Sequence, residues 1–436
     1  MKKLTLVLLV LMLSVVTVFA GGGSQRQSSG SGTTLRWAYW GSGDRVTRSQ
    51  AAIDAYQAAT PGIVVNQEVS GSTNDHFTKV STQIAGGNGP DIILFGGNYG
   101  ADGVDKGILL PLDQYVGPGK AIDTSTLDPG TIELGTWTDG HVYGISVGTV
   151  MAAMAYNKTL LEKYGCALPN TNMSWEEFRA YLVSIKAKLP AGVYPLQDFG
   201  VTSSGTTGFG YWTRWNNTPL YDITTDSSPV TPAVAAKFLD LFKDYRDNGL
   251  IPPADIAGSY AETGADSSSL VAGKVAIGFL MTSQFAGFQD GTTDELNLIE
   301  MPGASTTNKA LWPQMSAVYT INKDSKNIDA AVKFINFLIN SPDAGRTMAT
   351  TRGISSSSSY RSGITPNMVS ATDKKILAYF DAAAPHSSPE TPHLPGDTEF
   401  NSTMPLIYQQ VAFGRLTTAA AGQQVADLLK QLIAKW

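Results

Sequence analysis

Several things that mark common enzyme classes are scarce or missing here. There is one cysteine, Cys166, so no internal disulfide can form and no cluster of thiolates can hold zinc. Only His76, His141, His386 and His393 represent histidine, and none stands in an H-E-x-x-H arrangement. There is no G-x-S-x-G, no Walker sequence and no G-x-G-x-x-G behind a strand. Gly41-Ser42-Gly43 approaches a phosphate loop but lacks the lysine. No metal or cofactor is therefore expected. Charged residues make up 16% of the chain, below the usual quarter or so. Lysine and arginine form no runs, and the net charge is −6. Nucleic acid and anionic membrane surfaces are poor partners for such a chain.

The N-terminus carries the one long apolar run. Lys2 and Lys3 precede residues 4–16, and Val18-Phe19-Ala20 has the small-x-small form of a signal-peptidase site. Residues 1–20 are expected to be a signal peptide cleaved after Ala20. A cysteine does not follow to carry a lipid, so a free periplasmic protein is expected. Residues 21–34, rich in Gly, Ser and Gln, read as a flexible linker. The remainder is longer than one hydrophobic core usually serves, which predicts two domains.

Strand and helix patterns alternate from residue 35 onward. Residues 35–40 are a near-continuous apolar strand, 46–59 a helix stopped by Pro61-Gly62, and 63–69 a second strand. A helix over 75–85 and a strand over 91–95 complete a βαβαβ start, which predicts an α/β domain with a parallel sheet. Helices are expected over 175–188, 232–247, 329–339, 373–383 and 423–436. Short strands are expected over 271–280 and 315–321.

Segments in a fixed order then carry a resemblance. They are Trp40-Gly41, Thr60-Pro61-Gly62, Gly86-Gly87-Asn88-Gly89-Pro90-Asp91-Ile92 and Lys106-Gly107-Ile108-Leu109-Leu110-Pro111-Leu112. Val142-Tyr143-Gly144-Ile145, Ala155-Tyr156-Asn157-Lys158, Ser174-Trp175-Glu176-Glu177-Phe178, Ala272-Gly273-Lys274-Val275 and Ile321-Asn322-Lys323-Asp324 follow. Together they resemble the family 1 extracellular solute-binding proteins, the group that includes maltose-binding protein. Ser146 and Gly353-Ile354-Ser355 depart from the family pattern near the crossings. The resemblance implies a two-lobed periplasmic binding protein fold, with hinge-crossing segments and a ligand cleft between the lobes. It places the N-terminal lobe at 35–148 plus 317–353 and the C-terminal lobe at 149–316 plus 354–436. It also implies a carbohydrate ligand, ABC permease transmembrane subunits as partners, no catalysis, and a monomer.

Ligands of open α/β sheets bind beyond the carboxyl ends of the strands. Sugars want aromatic faces beside hydrogen-bonding groups. Two loops satisfy both conditions, one with Trp40, Asp44 and Arg45, the other with Asn98 and Tyr99. Asp44 is equally a helix cap, and Asp91 reads as a turn-stabilising residue. Glycines and polar neighbours make 208–217 a loop, whose Trp212 and Trp215 are candidate stacking rings. By resemblance, Gln284, Phe285 and Trp312 face the ligand too, and Glu399 or Asn401 would contribute from the C-terminal segment.

Two other functions compete with import. A secreted glycoside hydrolase needs two carboxylates flanking a scissile bond, whereas Glu176-Glu177 starts a helix and Asp294-Glu295 sits in a polar turn. A periplasmic sugar sensor for a receptor kinase or chemotaxis protein uses the same binding act, and the residues do not separate it from transport.

Overall fold

The computed structural model describes residues 32–435, apart from 42, 97–102, 105, 129, 138, 203–206, 223, 261–266, 365–369 and 390–395. The expected signal peptide, most of the linker, and the candidates Asn98 and Tyr99 lie outside the described residues.

The chain opens with β1 (Thr33–Trp40), α1 (Gly43–Ala59), β2 (Ile63–Ser70), α2 (Thr73–Ala85), β3 (Ile92–Phe95) and β4 (Gly144–Val150). Next come β5 (Ala152–Asn157), α3 (Trp175–Lys186), β6 (Tyr194–Leu196), α4 (Gly208–Trp215) and α5 (Pro232–Asp247). After these run β7 (Val275–Met281), α6 (Phe285–Asp290), β8 (Leu296–Ile299) and β9 (Gln314–Ile321). The C-terminal part is helical: α7 (Ile328–Asn340), α8 (Pro342–Met348), α9 (Ser358–Ser362), α10 (Ala371–Ala383), α11 (Asp397–Ala412) and α12 (Thr418–Ile433).

Five strands form the first sheet in the order β2-β1-β3-β9-β4. β1 is parallel to β2 and β3, and β9 runs antiparallel to β3 and β4. Leu35, Trp37, Ala38 and Tyr39 are all buried, because both faces of a parallel sheet are covered and alternation is lost. Trp37 meets Phe334 of α7 edge-on at 5.5 Å, while Ala38 packs with Val80 of α2 on the opposite face. Asp91 is a staple here. Its carboxylate accepts from the Arg36 amide at 2.8 Å, the Ser325 hydroxyl at 2.5 Å and the Asn327 amide at 3.2 Å.

The second sheet runs β8-β5-β7-β6, with β5 antiparallel to both neighbours. Helices α3, α5, α10, α11 and α12 contribute Phe178, Phe238, Tyr379, Phe400 and Leu429 to its core. Its helices start on polar caps, such as Ser174, whose Oγ accepts from Glu177 N at 3.1 Å. Only Met151 separates β4 of the first sheet from β5 of the second. Beside it, Thr149 and Ile354 exchange two backbone hydrogen bonds of 2.8 Å each.

The structure departs from the sequence expectations at definite places. Tyr360 of α9 packs in the first core and Ile376 of α10 in the second. Packing against the first core thus continues beyond residue 353, through Tyr360. Residues 208–215 form a helix, not a loop, because its apolar face finds α5 and the second core. The last helix starts at Thr418, where Thr417 Oγ1 accepts from Ala420 N at 3.2 Å, earlier than the apolar stripe alone suggests. Helix α11 carries Pro405 inside it, which hides its periodicity from a sequence reading.

Candidate functional site

Strand direction brings the loops together. In the first sheet β1, β2 and β3 end at Trp40, Ser70 and Phe95. In the second, Ala152 at the start of β5 faces Met281 at the end of β7, so the loop beginning at Thr282 lies against the crossing. Thr282 is fastened to it, its amide donating to Met151 O at 3.0 Å and its Oγ1 accepting from Met151 N at 3.2 Å.

Arg45, in the first turn of α1, ties both lobes to the hinge. Nε donates to Thr351 O at 3.1 Å, Nη2 to Ser283 O at 3.2 Å, and Nη1 more weakly to Trp40 O at 3.5 Å. Burial first, then the nearby charge of Arg352, pushes its pKa down to about 9. One turn further on, Arg48 pairs with Asp44 at 2.6 Å and with Asp373 of α10 at 3.1 Å. Asp373 also accepts from the hydroxyls of Thr350 and Ser370. Burial raises its pKa, but those hydrogen bonds and Arg48 outweigh burial and leave it lowered.

Trp40 is half-buried at the end of β1, its ring tilted against His76 at 5.4 Å and Phe77 at 6.1 Å. His76 is buried, and burial presses its pKa down to about 4. It is neutral at pH 7, and its Nε2–H donates to Leu94 O at 2.9 Å. Gly96 lies under the Trp40 ring; a Cβ there would come within 3.6 Å of it.

Other expected contacts are placed differently. Phe285 is fully buried in the second core, because it opens α6 with its side chain turned inward. Trp212 is buried between Trp175, Trp215 and Phe238, at 5.6, 5.3 and 6.1 Å, and its Nε1 donates to Val234 O at 3.0 Å. It has no free face for a sugar. Trp312 is buried as well, with the Arg214 guanidinium over its ring at 4.8 Å. Trp215 is half-buried and covers Gly303. Gln284 is exposed, and its Oε1 accepts from Met281 N at 2.8 Å. Asp44 is engaged by Arg48. The structure thus gathers Trp40, Asp44, Arg45 and the 282–284 loop and leaves the 212–215 aromatics in a core.

Trp212→Phe is accordingly expected to cost about 1 kcal/mol through the lost indole hydrogen bond. Solute affinity should not change; urea denaturation and a binding isotherm on the same preparation check both halves.

Residues missed by sequence reasoning include Arg352 and Asp373, whose partners Ser49 and Arg48 reach them only through the fold. Buried Glu300 is another, bonded to His386 Nδ1 at 2.6 Å; no local pattern links residues so far apart. Among the described residues no cluster of His, Cys, Asp or Glu could hold a metal ion. No described helix is long and apolar enough to cross a membrane.

The sequence pattern of bacterial extracellular solute-binding proteins matches residues 51–368. A binding protein of Brucella abortus is 30% identical over 294 residues, 65% of this chain and 66% of its own length, just under two thirds. A periplasmic oligogalacturonide-binding protein from Yersinia enterocolitica, solved with digalacturonic acid, superposes with a TM-score of 0.79 at 21% identity, covering 92% of this chain and 99% of that one. An ABC substrate-binding protein from Listeria monocytogenes, solved with cycloalternan, gives 0.76 at 19% identity over 92% and 99%. The chain belongs to the bacterial extracellular solute-binding protein family, and it is a binding protein, not an enzyme.

Proposed function

We propose that this chain captures a sugar between its lobes and delivers it to the membrane subunits of an ABC importer, after export and cleavage behind Ala20. The observation that carries this reading is the meeting of β1 and β7 carboxyl ends at the crossing, with half-buried Trp40 beside Arg45. An aromatic face and fixed donors at strand ends suit a sugar's C–H face and hydroxyls. The saccharides held by the Yersinia and Listeria proteins support the same ligand class.

Contacts from both lobes make closure a population shift driven by the solute. Solute held against Trp40 and Asp44 on one lobe recruits the 282–284 loop of the other. The closed outer surface is then what the permease subunits receive.

Calorimetry against a panel of mono- and oligosaccharides should find a ligand near micromolar, about −8 kcal/mol. Trp40→Ala should weaken it by roughly tenfold or more through lost stacking. Silence across the panel overturns the sugar assignment.

A further inference from the structure

The crossing holds two guanidinium groups and no acid for either. Arg352 follows Thr351, the residue whose carbonyl takes the Arg45 Nε–H. It is 3% exposed, stacked over Tyr39 at 4.4 Å and Trp37 at 5.0 Å, and donates from Nη2 to Ser49 Oγ at 2.9 Å. Its Nε and Nη1 have no acceptor among the described residues, and the buried Tyr319 hydroxyl has no partner either. Arg45 donates to carbonyls alone. The acids of this region are spoken for. Asp44 and Asp373 pair with Arg48, and Asp290 also faces Arg48.

Burying a cation without a counter-charge is unfavourable, and doing so twice within one crossing is more so. Stacking on aromatic faces offsets only part of that cost. A single anion near both groups would relieve it, and Arg45, only partly buried, is the side from which an anion can arrive. A guanidinium fork matches the two oxygens of a carboxylate.

We propose that the carboxylate of an acidic sugar binds at Arg45, with the charge of Arg352 behind it, so that the solute is a uronate-bearing saccharide. This rests on the sugar-binding reading above and narrows it. A free anion such as chloride has the same chemistry, so the test must tell the two sources apart.

The experiment is calorimetry on the wild-type protein with galacturonate and glucuronate mono- and disaccharides against their galactose and glucose counterparts, with and without chloride. A uronate should bind roughly 10- to 100-fold tighter than its neutral counterpart, the range of one charge-assisted hydrogen bond. Arg352→Gln should abolish that preference while neutral-sugar binding survives, and Arg45→Gln should weaken the uronate more than its neutral counterpart. The wild-type ratio needs no variant, so a poorly folding Arg352→Gln leaves the test intact. Equal or tighter binding of the neutral sugars overturns the inference and leaves the sugar-binding reading standing. Thermal stabilisation by chloride that Arg352→Gln loses, with no uronate preference, assigns the place to a free anion and overturns it too. Silence toward every sugar removes the sugar reading and the inference with it.

Discussion

Gly353→Val is expected to lower unfolding free energy by roughly 4 kcal/mol, combining backbone strain and overpacking. Gly353 sits at φ +102°, in the region that favours glycine, and a Cβ there would lie 2.5 Å from the Thr149 carbonyl oxygen. The Thr149 backbone cannot retreat, because it exchanges both hydrogen bonds with Ile354. The substitution must break that bridge or twist one lobe against the other. Gly273 provides the comparison: its φ is +65° and nothing lies within 4 Å of its Cβ position. Gly273→Ala should cost about 1 kcal/mol, from the left-handed backbone alone. Urea unfolding of the two variants side by side measures the difference, and similar midpoints would show that the bridge is not under steric control.

Asp373→Ala is expected to cost about 3 kcal/mol, the lower end for breaking a buried pair, since Arg48 keeps Asp44. Three losses combine. Arg48 of the first lobe loses its tie to the second, Thr350 at the hinge loses its acceptor, and α10 loses the capping box shared with Ser370. The pH dependence follows from the sign of the shift. The folded pKa is lowered, so the stabilisation is full above the unfolded pKa and drains away as pH falls through the folded value. Asp373→Asn keeps the size and removes the charge. Its deficit against wild type should be large at about pH 7 and shrink at about pH 3, below the ordinary carboxylate range. Denaturation at the two pH values is the check; an undiminished gap in acid would mean the carboxylate charge contributes nothing.

The first lobe was the more legible half. β1 and its neighbours are apolar runs punctuated by Pro61-Gly62 and Gly86-Gly87, and those signals are local. The same rule failed over 208–215, where glycines and polar neighbours look like a loop. Phe209, Tyr211 and Trp212 instead make a short helix stabilised by packing against α5, Trp175 of α3 and Phe400 of α11. The site divided along the same line. Trp40, Asp44 and Arg45 could be named as candidates because a strand end and a helix start mark themselves in sequence, and the fold keeps them beside one another. Arg352 could not, since a lone arginine before a glycine gives no sign of stacking on Trp37 and Tyr39. Phe285 went astray for a related reason: a helix start says where the loop ends, not which way its first ring turns.

The joint between β4 and β5 is a single residue, Met151, and the Thr149–Ile354 bridge clamps its flank. So short a link has little slack in which to absorb torque. Movement of one half relative to the other is then confined to rotation about this joint, and the angle set there carries to surfaces far from the groove. A partner gripping both outer faces would therefore sense whether the interior is filled from their mutual attitude, without ever touching the cargo.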